Sequence, residues 1–264
     1  MTRFTFIDIE AVWDERLHEA YRQIDPGGAG ELTRNGHHRK RLPCKRIIAA
    51  AAFDIDHHDT GAVSIDGLRS WTQHEHGDER EVVIGLFDHL RGHPDRHVVT
   101  YSGLATEIPL LTLAAIEHDL VLPEQLRTGP HLSGKVSSWR PHIDLALELK
   151  GKGRDWAHLT EIGLRFGLPS ALFEGKAEFA MPQTSEEWLA MRQRVSMDCV
   201  LTAMVALALW RANGRIRLDQ AAMLHHIASW CLRTGVTSGD QAEALGKLRQ
   251  HTLERIFDQV EGAA

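Results

Sequence analysis

The chain has 264 residues and carries 30 Lys or Arg against 36 Asp or Glu, a net charge of −6. That balance argues against nonspecific, charge-driven binding of nucleic acid but permits a local basic patch. A hydrophobic share of 43% and a charged share of 25% are those of an ordinary globular protein able to bury a sizeable core. No apolar run approaches membrane-spanning length and no basic-then-apolar leader is present, so a cytoplasmic location and no membrane partner are expected. Cys44, Cys199 and Cys231 lack metal-type spacing and are expected to be reduced thiols. The 17 histidines show no repeated ligand spacing and are expected to be mainly solvated.

The first predicted element is a strand at Phe4–Ile9, apolar on both faces and therefore buried between two layers. Side chains alternate along a strand, so Asp8 and Glu10 point the same way. Two carboxylates side by side repel each other and lose hydration, and a hard cation such as Mg²⁺ or Mn²⁺ relieves both costs. The same residues also suit an ordinary strand that ends by running into solvent. Ala11–Gln23 suggests a short helix, and Asp25–Gly30 reads as a flexible loop without the Lys-Ser/Thr ending of a phosphate cradle.

Arg34–Arg46 is the one concentrated positive segment, with six Lys or Arg, two His and no acid. Either it is a solvated loop or it contacts a phosphate backbone through residues such as Arg39, Lys40 and Arg41. Ile47–Ile55 is plausible as a second strand, though its alanines make helix a competitor. Ala62–Trp71 resembles a third strand of a meander, Asp78–Arg91 has helical spacing, and His97–Tyr101 is a fourth strand. Strand, strand, strand, helix, strand opens a mixed α/β sheet.

After the fourth strand, Gly103 gives a tight turn, Thr106 can cap, and Glu107 opens a helix that tolerates Pro109 in its first turn. Glu107 thus sits where a strand's carboxyl end meets a helix, a frequent site position, or it merely stabilises the helix start. Helix continues through Leu110–Leu120. His142–Leu145 reads as a short strand, Trp156–Phe166 as a helix, and a long helix runs from Ser185 through Leu209. Arg194 and Asp198 share a face of that helix. Leu218–Leu232 and Gln241–Val260 give two more amphipathic helices.

Three of these segments, in order, carry a resemblance: Phe6-Ile7-Asp8-Ile9-Glu10, Ser102-Gly103-Leu104-Ala105-Thr106-Glu107-Ile108-Pro109-Leu110-Leu111, and Met197-Asp198-Cys199-Val200-Leu201-Thr202. They resemble the exonuclease motifs of the DEDD superfamily of 3′→5′ exonucleases, in the branch related to the proofreading domain of B-family DNA polymerases. His142–Leu145 and Leu159–Pro169 are similar to that branch too, so the resemblance covers roughly residues 3–211.

The resemblance implies an α/β, ribonuclease H-like fold: a mixed five-stranded sheet flanked by helices. It makes residues 1–211 the exonuclease domain and 212–264 a C-terminal helical extension. It also implies two ions, Mg²⁺ or Mn²⁺, held by Asp8, Glu10, Glu107 and Asp198. The partners would be the 3′ ends of single-stranded DNA or RNA. The chain departs from the family twice. Ser102 and Glu107 stand where an Asn-Gly-x-x-Phe-Asp pattern has its Asn and Asp; Ser102 is assigned a nucleic-acid contact, and the extra methylene of Glu107 moves its carboxylate by roughly one ångström. Arg194 stands where a water-orienting Tyr is expected, and Gln193 where the related His would be. Arginine stays protonated and cannot be a general base, so Arg194 either pairs with Asp198 and competes with metal or contacts the scissile phosphate. Asp144 either supports the site from behind or is only a strand end. A metal-dependent exonuclease is the expected function. A degenerate relative that binds without cleaving is the alternative, and a nucleotidase is weaker because it leaves the basic segment idle.

Overall fold

The computed structural model describes residues 1–31, 36, 41–127, 139–150, 156–173 and 180–261. Strands β1 (Thr2–Trp13), β2 (Lys45–His57) and β3 (Val63–Thr72) form an antiparallel meander. β4 (His97–Thr100) runs parallel to β1, and β5 (His142–Asp144) runs parallel to β4. The sheet order is β3-β2-β1-β4-β5, so β1 is central, as its doubly apolar sequence requires. This is the mixed five-stranded α/β sheet of the expected class.

Phe4 and Phe6 pack into one core with the long helix α8 (Ser185–Ala212), while Ile7 and Ile9 pack into a second core with α4 (Glu79–Gly92) and α5 (Glu107–Glu117). Helices α9 (Gln220–Thr234) and α10 (Gly239–Glu261) add Met223, Leu224, Leu245 and Leu248 to the first core. The remaining short helices are α1 (Glu15–Ile24), α2 (Pro26–Ala29), α3 (Gln73–His76), α6 (Leu145–Lys150) and α7 (Leu159–Arg165).

Several boundaries differ from the sequence reading. Ala11–Trp13 is strand rather than helix, because it pairs with Lys45–Ile47 beyond a bulge at Glu10/Ala11. The helix begins only after Asp14, whose Oδ1 accepts from the Leu17 N–H at 3.1 Å. Asp25–Gly30 is a capped helical turn, with Asp25 accepting from the Gly28 N–H at 2.9 Å. The alanines of Ile47–Ile55 are sheet, and Ala49–Ala52 are fully buried. Small side chains there let helices press close on both faces: the Cys199 Sγ reaches the Ala51 carbonyl at 3.5 Å. α8 is long and apolar enough to cross a membrane, contrary to the sequence expectation, yet 72% of its most apolar window is buried inside the fold. It is the central core helix.

Among the described histidines His18, His57, His89 and His142 are buried. His89 Nε2 lies 3.0 Å from Asp54 Oδ2, and the Thr5 hydroxyl donates to Asp54 Oδ1 at 2.6 Å. Burial pushes the Asp54 carboxyl up, but the His89 and Thr5 bonds prevail and hold it below its usual range. Beside it the buried Arg96 pairs with Asp56 and Asp66, both at 2.8 Å, and donates to the Phe4 and Ile55 carbonyls. This network ties β1, β2 and β3 together behind the central strand.

Candidate metal centre

Because Phe4 and Phe6 face α8, alternation sends Asp8 and Glu10 to the same side. α8 brings Asp198 down onto them. One carboxylate oxygen from each of Asp8, Glu10 and Asp198 lies within 4.8 Å of the others, and all three side chains are half-buried. Carboxylates this close repel one another, and all their donors are hard oxygens, the set a divalent cation takes.

Glu107, the first residue of α5, stands beside this trio. Its carboxyl is buried, and Oε2 has no hydrogen-bond partner among the described residues. Burial pushes it up to about 7; a bond from its own backbone N–H opposes this, and the negative fields of Asp144, Glu10 and Asp198 push further up. An orphaned, buried carboxyl oxygen beside a cluster of carboxylates completes a set of hard oxygen donors, so the residues fit a divalent ion. The converging oxygens are those of Asp8, Glu10 and Asp198; Glu107 is within electrostatic reach of them.

Arg194 lies one turn before Asp198 on α8. The sequence offers Asp198 as its partner, but the structure places its Nε 2.7 Å from Glu10 Oε1. The long side chain thus spans the gap between helix and sheet. Both side chains are mostly buried, at 19% and 17% exposure, so this charge-assisted contact is poorly screened.

The turn that carries Glu107 is held by Asp144. Its Oδ1 accepts from the N–H groups of Ser102 (3.0 Å), Ala146 (3.0 Å) and Leu147 (3.4 Å), and its Oδ2 from that of Leu104 (3.0 Å). A carboxylate so engaged is a clamp rather than a metal ligand. It fixes Ser102 at φ 63°, a left-handed conformation that costs a non-glycine residue about 1–2 kcal/mol. Gly103 follows because a Cβ there would lie 2.1 Å from the Thr100 hydroxyl oxygen. That hydroxyl is 2.9 Å from His142 Nε2, and burial depresses the imidazole to about 4, so it is neutral. Thr106 caps without a side-chain bond. Sequence reasoning left Asp144 open between a support behind the site and a strand end, and gave His142 and Thr100 no part in it.

Of the basic residues assigned to nucleic acid, Arg39 and Lys40 lie outside the described residues. Arg41 is held by its own chain, 2.8 Å from Glu31 and 3.1 Å from the Gly28 carbonyl. Arg46 is likewise engaged by Asp14, Glu79 and Glu117. Ser102 offers its backbone N–H to Asp144. Next to the trio, burial pushes the Cys199 thiol well up, which keeps it protonated and inert. Tyr101, also overlooked as a site neighbour, donates its hydroxyl to the Ala157 carbonyl at 2.5 Å; burial pushes the phenol up to about 12.

No family model matches the chain, and no curated protein matches it. Among solved structures it is similar to the family B DNA polymerase of the hyperthermophilic archaeon Pyrobaculum calidifontis, at 14% identity and a TM-score of 0.46. That alignment covers 93% of this chain and 27% of the polymerase. It is also similar to the zinc-bound E. coli ExoI–ssDNA complex, at 12% identity and a TM-score of 0.42, over 85% of this chain and 43% of ExoI. The chain therefore spans less than half the length of either.

Proposed function

We propose that the protein is a divalent-cation-dependent 3′→5′ exonuclease of the DEDD type, acting on single-stranded ends of DNA or RNA with Mg²⁺ or Mn²⁺. The observation that carries this is the convergence of Asp8, Glu10 and Asp198, delivered by a central strand and a helix nearly two hundred residues apart in sequence. When bound, a divalent ion polarises phosphoryl oxygens and makes water nucleophilic at neutral pH.

The chain's own residues do the rest. Asp8, Glu10 and Asp198 would hold the cation. Glu107, whose buried carboxyl is raised to about 7, would give up its proton beside that positive charge and offer a fourth oxygen donor. Asp144 keeps the Ser102–Leu104 turn, and with it Glu107, in place. Arg194 supplies fixed positive charge and does not move protons. The two-ion form implied by the family resemblance places its cations beside the guanidinium that contacts Glu10 Oε1.

That same Arg194–Glu10 pair favours a second reading, a relative that binds single strands without cleaving them. Digestion of 5′-labelled single-stranded DNA and RNA with Mg²⁺ or Mn²⁺ separates the two. Progressive shortening from the 3′ end, absent in Asp8→Ala, is the expected result. Binding without shortening establishes the non-cleaving reading, and neither binding nor shortening overturns both.

A further inference from the structure

We propose that Trp156, with the Lys150 ammonium over its ring, is a stacking platform for a nucleobase of the single strand that reaches the carboxylate site. The inference deepens the exonuclease reading and rests on that site taking single strands. Among the described residues, which include all seven tryptophans, only Trp156 presents an exposed indole, at 42%. Lys150, the last residue of α6, holds its Nζ 4.0 Å from the ring centroid. An exposed aromatic face beside an amine suits a strand of any sequence, because every base has a flat face and every linkage an anionic phosphate.

The platform is tied to the rim of the site. Phe6 on β1 pairs with Val99 on the parallel β4, so Asp8 and Tyr101 each lie two residues further along neighbouring strands. Such strands run about 4.8 Å apart. Phe6, Val99 and Tyr101 pack on the same core, which puts Tyr101 on the face that carries Asp8. The Tyr101 hydroxyl donates to the Ala157 carbonyl at 2.5 Å and so fastens the residue next to Trp156 to that rim. One residue further on, the His158 N–H donates to Glu161 Oε2 at 2.7 Å, in the capping box that opens α7. Charge alone does not draw a strand here. The chain's net charge is −6, the site is crowded with carboxylates, and Arg41 and Arg46 are engaged by the chain's own acids. Stacking is an attraction that those carboxylates do not oppose.

The test is binding of a 5′-labelled oligothymidylate to the intact protein in Ca²⁺, read by anisotropy and by tryptophan fluorescence, with the strand's length checked afterwards. Trp156→Ala is expected to weaken binding about fivefold or more, and Trp156→Phe, which keeps a ring, by less than about twofold. A strand with abasic sites near its 3′ end is expected to bind the wild type and Trp156→Ala equally weakly. The intact strand should quench the wild type's fluorescence, and Trp156→Phe should lose that quenching while still binding. Unchanged affinity in Trp156→Ala, or a wild type indifferent to the missing bases, overturns the platform and leaves the exonuclease reading standing. If Trp156→Ala fails to fold, the abasic strand on the wild type and the quenching in Trp156→Phe decide by themselves. A wild type that binds through Trp156 but never shortens the strand with Mg²⁺ or Mn²⁺ supports the platform and overturns the exonuclease reading. A wild type that binds no strand overturns both.

Discussion

Replacing Glu107 by Gln is expected to stabilise the metal-free protein at pH 8 while weakening its hold on Mn²⁺. The Glu107 carboxyl is lifted from an ordinary 4.5 to about 7, first by burial and then by Asp144, Glu10 and Asp198. Between those values the folded protein keeps a proton that the unfolded chain has lost. Stability therefore falls as pH rises through that window: Glu107 costs nothing below about 4.5, and its full penalty is present above about 7. A rise from 4.5 to about 7 corresponds to roughly 3 kcal/mol at 1.36 kcal/mol per unit. Glutamine carries no charge to desolvate and can donate to neighbouring carboxylates. In a protein of this size, up to about 3 kcal/mol shifts the melting temperature by up to about 10 °C. The assay is urea and thermal unfolding in chelator at pH 5, 6, 7 and 8, for wild type and variant. The variant should lose much of the wild type's decline in stability between pH 5 and pH 8. Parallel pH profiles would refute the reasoning, and so would undiminished Mn²⁺ affinity in the variant.

Other outcomes follow from the same structure. Asp144→Ala strips acceptors from the N–H groups of Ser102, Leu104, Ala146 and Leu147, and is expected to cost about 3 kcal/mol in urea unfolding and to weaken Mn²⁺ binding by releasing the Glu107 turn. Arg96→Met removes a buried guanidinium from the buried Asp54, the mostly buried Asp56 and the exposed Asp66 behind β1; unfolding should show a loss of about 3–5 kcal/mol, and a loss under 1 kcal/mol would mean the network is structurally idle. Replacing Arg39, Lys40 and Arg41 together by Ser should weaken single-strand binding and flatten its salt dependence, while unchanged affinity and slope would make the segment plain surface.

The sheet was legible in the sequence because its central strand had no solvent face to alternate against: Phe4, Phe6, Ile7 and Ile9 had to be covered on both sides. The Asp8–Glu10 pair was legible for the same reason, since a period of two fixes which side chains travel together. The bend at Ala11–Trp13 was not, because what makes those residues strand is pairing with Lys45–Ile47, a partner that local pattern cannot show. The alanines at 49–52 left helix open as a competitor to the strand: helix propensity lost to the need for small residues under two closely packed helices. Helical spacing set Arg194 one turn from Asp198, but its contact with Glu10 depends on how α8 lies across the sheet, which helical spacing does not show. Asp144 and the buried histidines were underrated because satisfied polar residues look the same in sequence as exposed ones. Only the structure shows the four backbone N–H groups converging on one carboxylate.

The claim on which the rest stands is that Asp8, Glu10 and Asp198 together hold a divalent cation. Anomalous diffraction at the manganese edge, from crystals of the protein grown with Mn²⁺, addresses it without reference to any substrate. The expected result is a peak between those three carboxylates, at the roughly 2 Å ligand distances of a hard cation, with Glu107 turned toward it. A crystal that holds Mn²⁺ elsewhere, or leaves this trio empty at saturating Mn²⁺ with Arg194 still on Glu10, would contradict the account.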